Sequence, residues 1–237
     1  MNTHYTYFLI HAAAIAGPLL LSFDRKVHFY KKWKYLFPAM IIPALFFLVW
    51  DELFTRIGVW GFNENYITGL KIGSLPVEEV LFFITVPYCC VFVYECVRIY
   101  FPKLEQLKLN KNILIILVIL FLASGLTHSD KYYTATTFLF NAGFLLLLLI
   151  FSKWFSNFNI ALFLIAYAIC LIPFFIVNGF LTAYPVVQYN DAENMGIRIF
   201  SFLPWPMHNI PVEDTFYGML LILMNVALFE KLRAKNQ

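Results

Sequence analysis

The sequence predicts an all-α membrane protein of seven transmembrane helices, and three observations carry that prediction. Of the 237 residues, 61% are hydrophobic and only 13% charged, with a mean hydropathy of +0.73; soluble domains carry roughly 25% charged residues. Seven apolar stretches meet or approach the ~20 residues that cross a bilayer. A Pro-Val-Glu-acid run also occurs twice, at 76–79 and at 211–214. So apolar a chain is not disordered, and a net charge of +3 gives no case for nucleic-acid binding.

The predicted spans, in order, cover 5–23, 35–53, 76–100, 112–127, 132–151, 158–181 and 211–229. Each is expected as a helix, because a backbone in hydrocarbon must satisfy its own hydrogen bonds. No Lys or Arg precedes the first apolar run and a basic cluster follows it, so it reads as a retained anchor rather than a cleaved leader. The second ends in Trp50-Asp51-Glu52, and the third opens on Pro76-Val77-Glu78-Glu79. The fourth is short and the third long. Basic residues then set the sidedness. Arg25, Lys26, Lys31, Lys32, Lys34, Arg98, Lys103, Lys108, Lys111, Lys153, Lys231, Arg233 and Lys235 fall on one side, and only Arg56, Lys71, Lys131 and Arg198 on the other. The positive-inside rule gives an external N-terminus and a cytoplasmic C-terminus, in the cell membrane.

The duplicated run belongs to a longer internal repeat. Leu75-Pro-Val-Glu-Glu79 returns as Ile210-Pro-Val-Glu-Asp214, and both helices close on an acid, Glu95 and Glu230. Upstream, Gly61-Phe-Asn-Glu-Asn65 with Gly69-Leu-Lys-Ile72 resembles Gln188 to Asn194 with Gly196-Ile-Arg-Ile199. The two copies start on the same face, which makes a parallel repeat: spans one to three match spans five to seven. Residues 1–105 form the first unit, 106–130 the connecting helix and 131–237 the second unit. In this alignment Asn178 stands against Trp50 and Gly179 against Asp51.

The acids are the chemistry-bearing residues. Pro76 and Pro211 suit a first helical position, which sets Glu78 and Glu213 where a Glu caps the helix start. That accounts for one acid per helix and not for a doublet, since adjacent carboxylates beside a membrane core repel and cost desolvation. Glu78, Glu79, Glu213 and Asp214 are therefore the catalytic candidates, one carboxyl protonated beside another ionised. Asp51, Glu52, Asn63 and Glu64 gather at the same external face, as do Trp50, Phe54, Trp60, Phe62, Tyr66, Phe82, Trp205, Phe216 and Tyr217. These aromatics fit an interfacial belt or a π-rich wall for a cation.

Other chemistries find little support. His4, His11, His28, His128 and His208 form no metal-ligand pairing, and Cys89, Cys90, Cys96 and Cys170 lie in apolar runs as small hydrophobes. No phosphate-cradling glycine motif occurs. Two other classes remain in view. A membrane prenyltransferase would need Asp-rich Mg²⁺ sites, and a proton-coupled transporter would need polar residues along several spans.

Leu75-Pro-Val-Glu-Glu-Val-Leu-Phe-Phe83, Ile210-Pro-Val-Glu-Asp-Thr-Phe-Tyr217, and Trp50-Asp51 followed by Gly58-Val-Trp-Gly-Phe-Asn-Glu64 resemble the integral-membrane lycopene cyclase domain family. The resemblance covers both units and so implies the fused form. It implies redox-neutral cyclisation of lycopene ψ-ends to β-ionone rings by acid and base, with no cofactor and no metal, on a substrate within the bilayer. It also implies association with other carotenoid enzymes. The family motif falls on Glu78, Glu79, Glu213 and Asp214, with one of Glu78 and Glu213 expected as the acid and a neighbour as the base. Trp50, Asp51, Trp60, Phe62, Asn63, Glu64, Tyr66 and Tyr217 are the expected substrate-binding or supporting residues. Some relatives make ε- or γ-rings or couple cyclisation to addition of a prenyl unit.

Overall fold

The computed structural model describes residues 3–202 and 209–235; Trp205 and His208 lie outside the described residues. The chain is mostly helical. Among the described residues the seven α-helices are α1 (Thr6–Leu21), α2 (Trp33–Ile57), α3 (Val77–Tyr100), α4 (Lys111–Thr127), α5 (Tyr132–Ile150), α6 (Ile160–Ala183) and α7 (Val212–Ala234). Five of them, α2, α3, α5, α6 and α7, are long and apolar enough to cross a membrane, whereas α1 and α4 have 16 and 17 residues. Interior prolines occur in α1, α2, α3 and α6, which neighbouring helices tolerate where no water competes.

The most enclosed helices are α3 and α7. Helix α1 packs on α3, α2 on both α3 and α7, α6 on α3, and α5 on α7, with α4 laid against α5. The α4–α5 hairpin is close because Gly125 faces α5: a Cβ there would lie 2.7 Å from the Leu139 side chain and 3.1 Å from the Ala135 carbonyl oxygen. Gly125→Ala is therefore expected to destabilise the protein by about 1–3 kcal/mol through overpacking. A lowered Tm of the detergent-solubilised protein would register the loss.

Short ribbons, which the helical prediction did not include, join the helices at one end. Strand β1 (Trp60–Phe62) pairs antiparallel with β4 (Val187–Tyr189), Gly61 opposite Gln188. Strand β2 (Lys71–Ile72) pairs with β3 (Leu75–Pro76), and β5 (Arg198–Ile199) with β6 (Ile210–Pro211). Gly69 and Gly196 precede β2 and β5 at φ +84° and +70°, in left-handed backbone that glycine adopts without penalty. Each ribbon then delivers a proline to a helix start. Pro76 and Pro211 keep extended ψ angles of 150° and 142°, so Val77 and Val212 open the helices. The prolines thus sit one place earlier than the sequence predicts.

At the opposite end Glu95 and Glu230, expected as boundary residues, are buried at 0% and 1% exposure. Glu95 takes an ion pair from Lys32, and others from Arg98 at 2.7 Å and Arg233 at 3.0 Å. Glu230 meets Arg233 at 2.5 Å. The network ties the ends of α3 and α7 to the segment that leads into α2.

Candidate active site

The ribbons bring both acidic doublets to one end of the helix bundle, and there the two members of each doublet part company. Adjacent helical residues point about 100° apart. Glu79 and Asp214 line a cavity of about 60 Å³, together with Asp51, Trp60, Phe62, Phe82 and Tyr217. Glu78 and Glu213 do not; both are fully buried behind it. Glu78 Oε1 accepts from the Thr68 backbone N–H at 2.7 Å, and Glu213 Oε1 from the Met195 N–H at 2.8 Å and the Thr134 hydroxyl at 2.6 Å. Each anchors the loop before its own helix. Capping of the helix itself is not their bond.

The cavity acids differ in their donors. Tyr7 of α1 donates to Glu79 Oε2 at 2.5 Å. Asp214 accepts three bonds: Tyr133 to Oδ1 at 2.6 Å, and Asn178 and Tyr189 to Oδ2 at 2.6 and 2.9 Å. Burial, and next the Asp214 carboxylate, push the Tyr189 phenol well above its usual value, so it stays a donor throughout the neutral range. Asp51, 2% exposed, accepts from Trp60 Nε1 at 2.6 Å. Much of the remaining wall is aromatic, with Val86, Leu181 and Val187 among the rings: Trp60 stands 5.0 Å from Tyr133 and 6.1 Å from Tyr217, ring centre to ring centre.

Of the supporting residues expected from sequence, Asp51, Trp60, Phe62 and Tyr217 reach the cavity and four do not. Trp50 is buried behind it, its ring 4.9 Å from both Phe140 and Tyr217. Asn63 closes a turn by accepting from the Asn65 N–H at 3.0 Å. Glu64 is exposed and pairs with Lys71 at 2.5 Å, a surface charge with no path to the interior. Tyr66 offers its backbone carbonyl to the Tyr7 N–H at 3.1 Å and its ring to Tyr184.

The residues that sequence reasoning missed are Tyr7, Tyr133, Asn178, Tyr189 and Phe174. Tyr7 and Tyr133 each stand second in their helices, α1 and α5. Asn178 lines the cavity, as Asp51 does and Trp50 does not. Asn178, set against Trp50 in the sequence alignment, thus shares the cavity with Asp51. Its amide donates where a carboxylate would accept.

A second, apolar cavity of about 200 Å³, between α1, α3 and α6, adjoins this one and shares Phe82, Val86, Phe174, Asn178 and Leu181.

The sequence profile described as lycopene cyclase matches two segments of the chain, residues 4–97 and 130–232. A protein of Aspergillus niger (strain ATCC MYA-4892 / CBS 513.88 / FGSC A1513) named bifunctional lycopene cyclase/phytoene synthase is 31% identical over 89 residues, 35% of this chain and 15% of its own length. A protein of the same name from Pyrenophora tritici-repentis (strain Pt-1C-BFP) is 29% identical over 92 residues, 38% of this chain and 16% of its own. The chain thus spans about a sixth of the length of these relatives. No solved structure matches it. With buried acids on an apolar cavity, and a profile that matches most of the sequence, the chain belongs to the lycopene cyclase family.

Proposed function

We propose that the protein cyclises the ψ-ends of lycopene to β-ionone rings within the membrane, by proton transfer between carboxyl groups and with no net redox change. The observation that carries this reading is the unequal pair on one cavity wall: Glu79 with a single donor and Asp214 with three. Hydrogen bonds to a carboxylate favour its ionised form, so Asp214 is the base and Glu79 the proton donor. This assignment moves the acid from Glu78 or Glu213, favoured by sequence, to their neighbours.

Glu79 protonates C2 of the terminal C1=C2 bond and leaves a tertiary cation at C1. The C5=C6 pair attacks C1, forming the C1–C6 bond and moving the cation to C5. Asp214 removes the C6 proton and the electrons close a C5=C6 double bond. One proton enters and one leaves, so the product is an isomer. A proton must then return from Asp214 to Glu79 before the next ring. Trp60, Phe62, Phe82 and Tyr217 supply π faces for the cation, and positioned acid–base groups contribute typically 10²–10⁴-fold each.

The repeat and the seven-span reading belong to the same proposal. Helix starts, glycine turns and loop-anchoring acids recur at matching places, as do Val77 N–H to Leu70 O and Val212 N–H to Ile197 O, at 2.9 and 3.0 Å. The paired profile segments also support it. The external N-terminus rests on the distribution of Lys and Arg.

Expression in cells that accumulate lycopene, followed by pigment chromatography, tests the function. Conversion to γ-carotene or β-carotene is expected. Unchanged lycopene beside well-inserted protein would defeat the reading, and a prenyl-lengthened product would redirect it to an elongase. Tyr189→Phe, which removes one charge-assisted bond to Asp214, is expected to slow ring formation about tenfold, since such bonds contribute about 1.5–3 kcal/mol.

A further inference from the structure

We propose that the substrate chain lies in one lipid-side groove, between α1, α3 and α6, so that the site takes one end of the molecule at a time and releases the half-cyclised product. This rests on the cyclase reading above. The groove adjoins the carboxylate cavity and shares Phe82, Val86, Phe174, Asn178 and Leu181 with it, so a chain lying in the groove has its end next to the carboxylates. Further along it is lined by Ala14, Pro18, Cys89, Val93, Cys170 and Pro173. A polyene hydrocarbon needs no other partner there. From Glu79 to Val93 is fourteen residues of α3, about 21 Å at ~1.5 Å per residue. Pro173 is exposed and Pro18, Cys89 and Val93 half-buried, so the groove opens on the side of the bundle, and α1 and α6 each carry an interior proline at its edge.

The matching gap in the other half is cut off from the carboxylates. Between α2, α5 and α7 lies a groove of about 210 Å³ lined by Phe46, Phe140, Phe144, Leu147, Leu220 and Met224, and it reaches no carboxyl group. Trp50 closes it, with ring centres 4.9 Å from Phe140 and from Tyr217, and Phe47 packs 4.9 Å from Tyr217. Phe47 and Trp50 are buried, and aromatic contacts packed on them do not part cheaply. With a single open arm, the second end of a symmetric substrate reaches Glu79 only after the molecule leaves and returns reversed.

Two experiments test this on the full-length protein in liposomes. In the first, Val93→Trp and the milder Cys89→Phe are compared with Leu147→Trp in the closed groove, each normalised to the amount of monodisperse protein. The open-groove variants are expected to lose tenfold or more in lycopene turnover, and Leu147→Trp to keep the wild-type rate. Equal rates in all three would overturn the assignment. The second uses the unaltered protein, with isotopically labelled lycopene and an excess of unlabelled γ-carotene. Labelled monocycle is expected to enter the free pool before labelled β-carotene forms. Labelled β-carotene from the first time points, bypassing the pool, would overturn release between rings. Wild-type protein that leaves lycopene untouched would instead defeat the cyclase reading itself, and the groove assignment with it.

Discussion

Asp214→Asn and Glu79→Gln are each expected to reduce cyclisation by ~10²-fold or more while leaving the protein folded in the membrane. Both substitutions keep size and most hydrogen-bonding capacity but remove the ability to hold or release a proton. They act on opposite halves of one cycle. Without Asp214 as an acceptor no proton leaves the ring; without Glu79 as a donor none arrives. Glu78→Gln and Glu213→Gln differ in kind. Their carboxyls hold the Thr68 and Met195 N–H groups, so weakened loop anchoring and lowered stability are the expected result. Pigment chromatography combined with a Tm for each variant separates the two pairs. Full turnover by Asp214→Asn or Glu79→Gln would reduce these acids to structural elements.

Glu95→Ala is expected to be the most damaging change outside the cavity, with a stability loss of about 3–5 kcal/mol, the cost of breaking a buried ion pair. The carboxylate is fully buried and serves Lys32, Arg98 and Arg233, whose side chains are only 19%, 16% and 13% exposed. Removing it leaves three cations crowded at one end of the bundle, with only Glu230 beside Arg233 and the more exposed Glu105 beside Arg98 as acid partners. The readout is the yield of monodisperse protein and its Tm in detergent. A Tm equal to wild type would show that these cations find other partners.

The helices were legible from the sequence because hydrocarbon leaves the backbone few choices. Apolar length alone located α2, α3, α5, α6 and α7, and the repeated Pro-Val-Glu located the acidic helix starts. The ribbons were not legible. Pairs as short as Lys71–Ile72 with Leu75–Pro76 carry no periodicity, and the register of Gly61 opposite Gln188 spans more than a hundred residues of sequence. The acidic doublets were visible as a pair of anomalies, yet the sequence did not tell which member of each faces inward. The packing of α3 and α7 on their neighbours decides that. Tyr7, Tyr133 and Tyr189 lie far from the acids in sequence, and their role comes from tertiary packing. Asn63, Glu64 and Tyr66 stand close to the motif in sequence, and the fold gives them a turn bond, a surface ion pair and a backbone bond to Tyr7 outside the cavity.

A single-turnover reaction in D₂O tests the central claim most directly. Purified protein in excess over lycopene, equilibrated with D₂O, should yield a cyclic product with one deuterium in each new ring, delivered from an exchangeable carboxyl. Glu79→Gln should yield none of it in the same time. A cyclic product free of deuterium, or one formed at the wild-type rate by Glu79→Gln, would contradict proton donation by Glu79 and the account built on it.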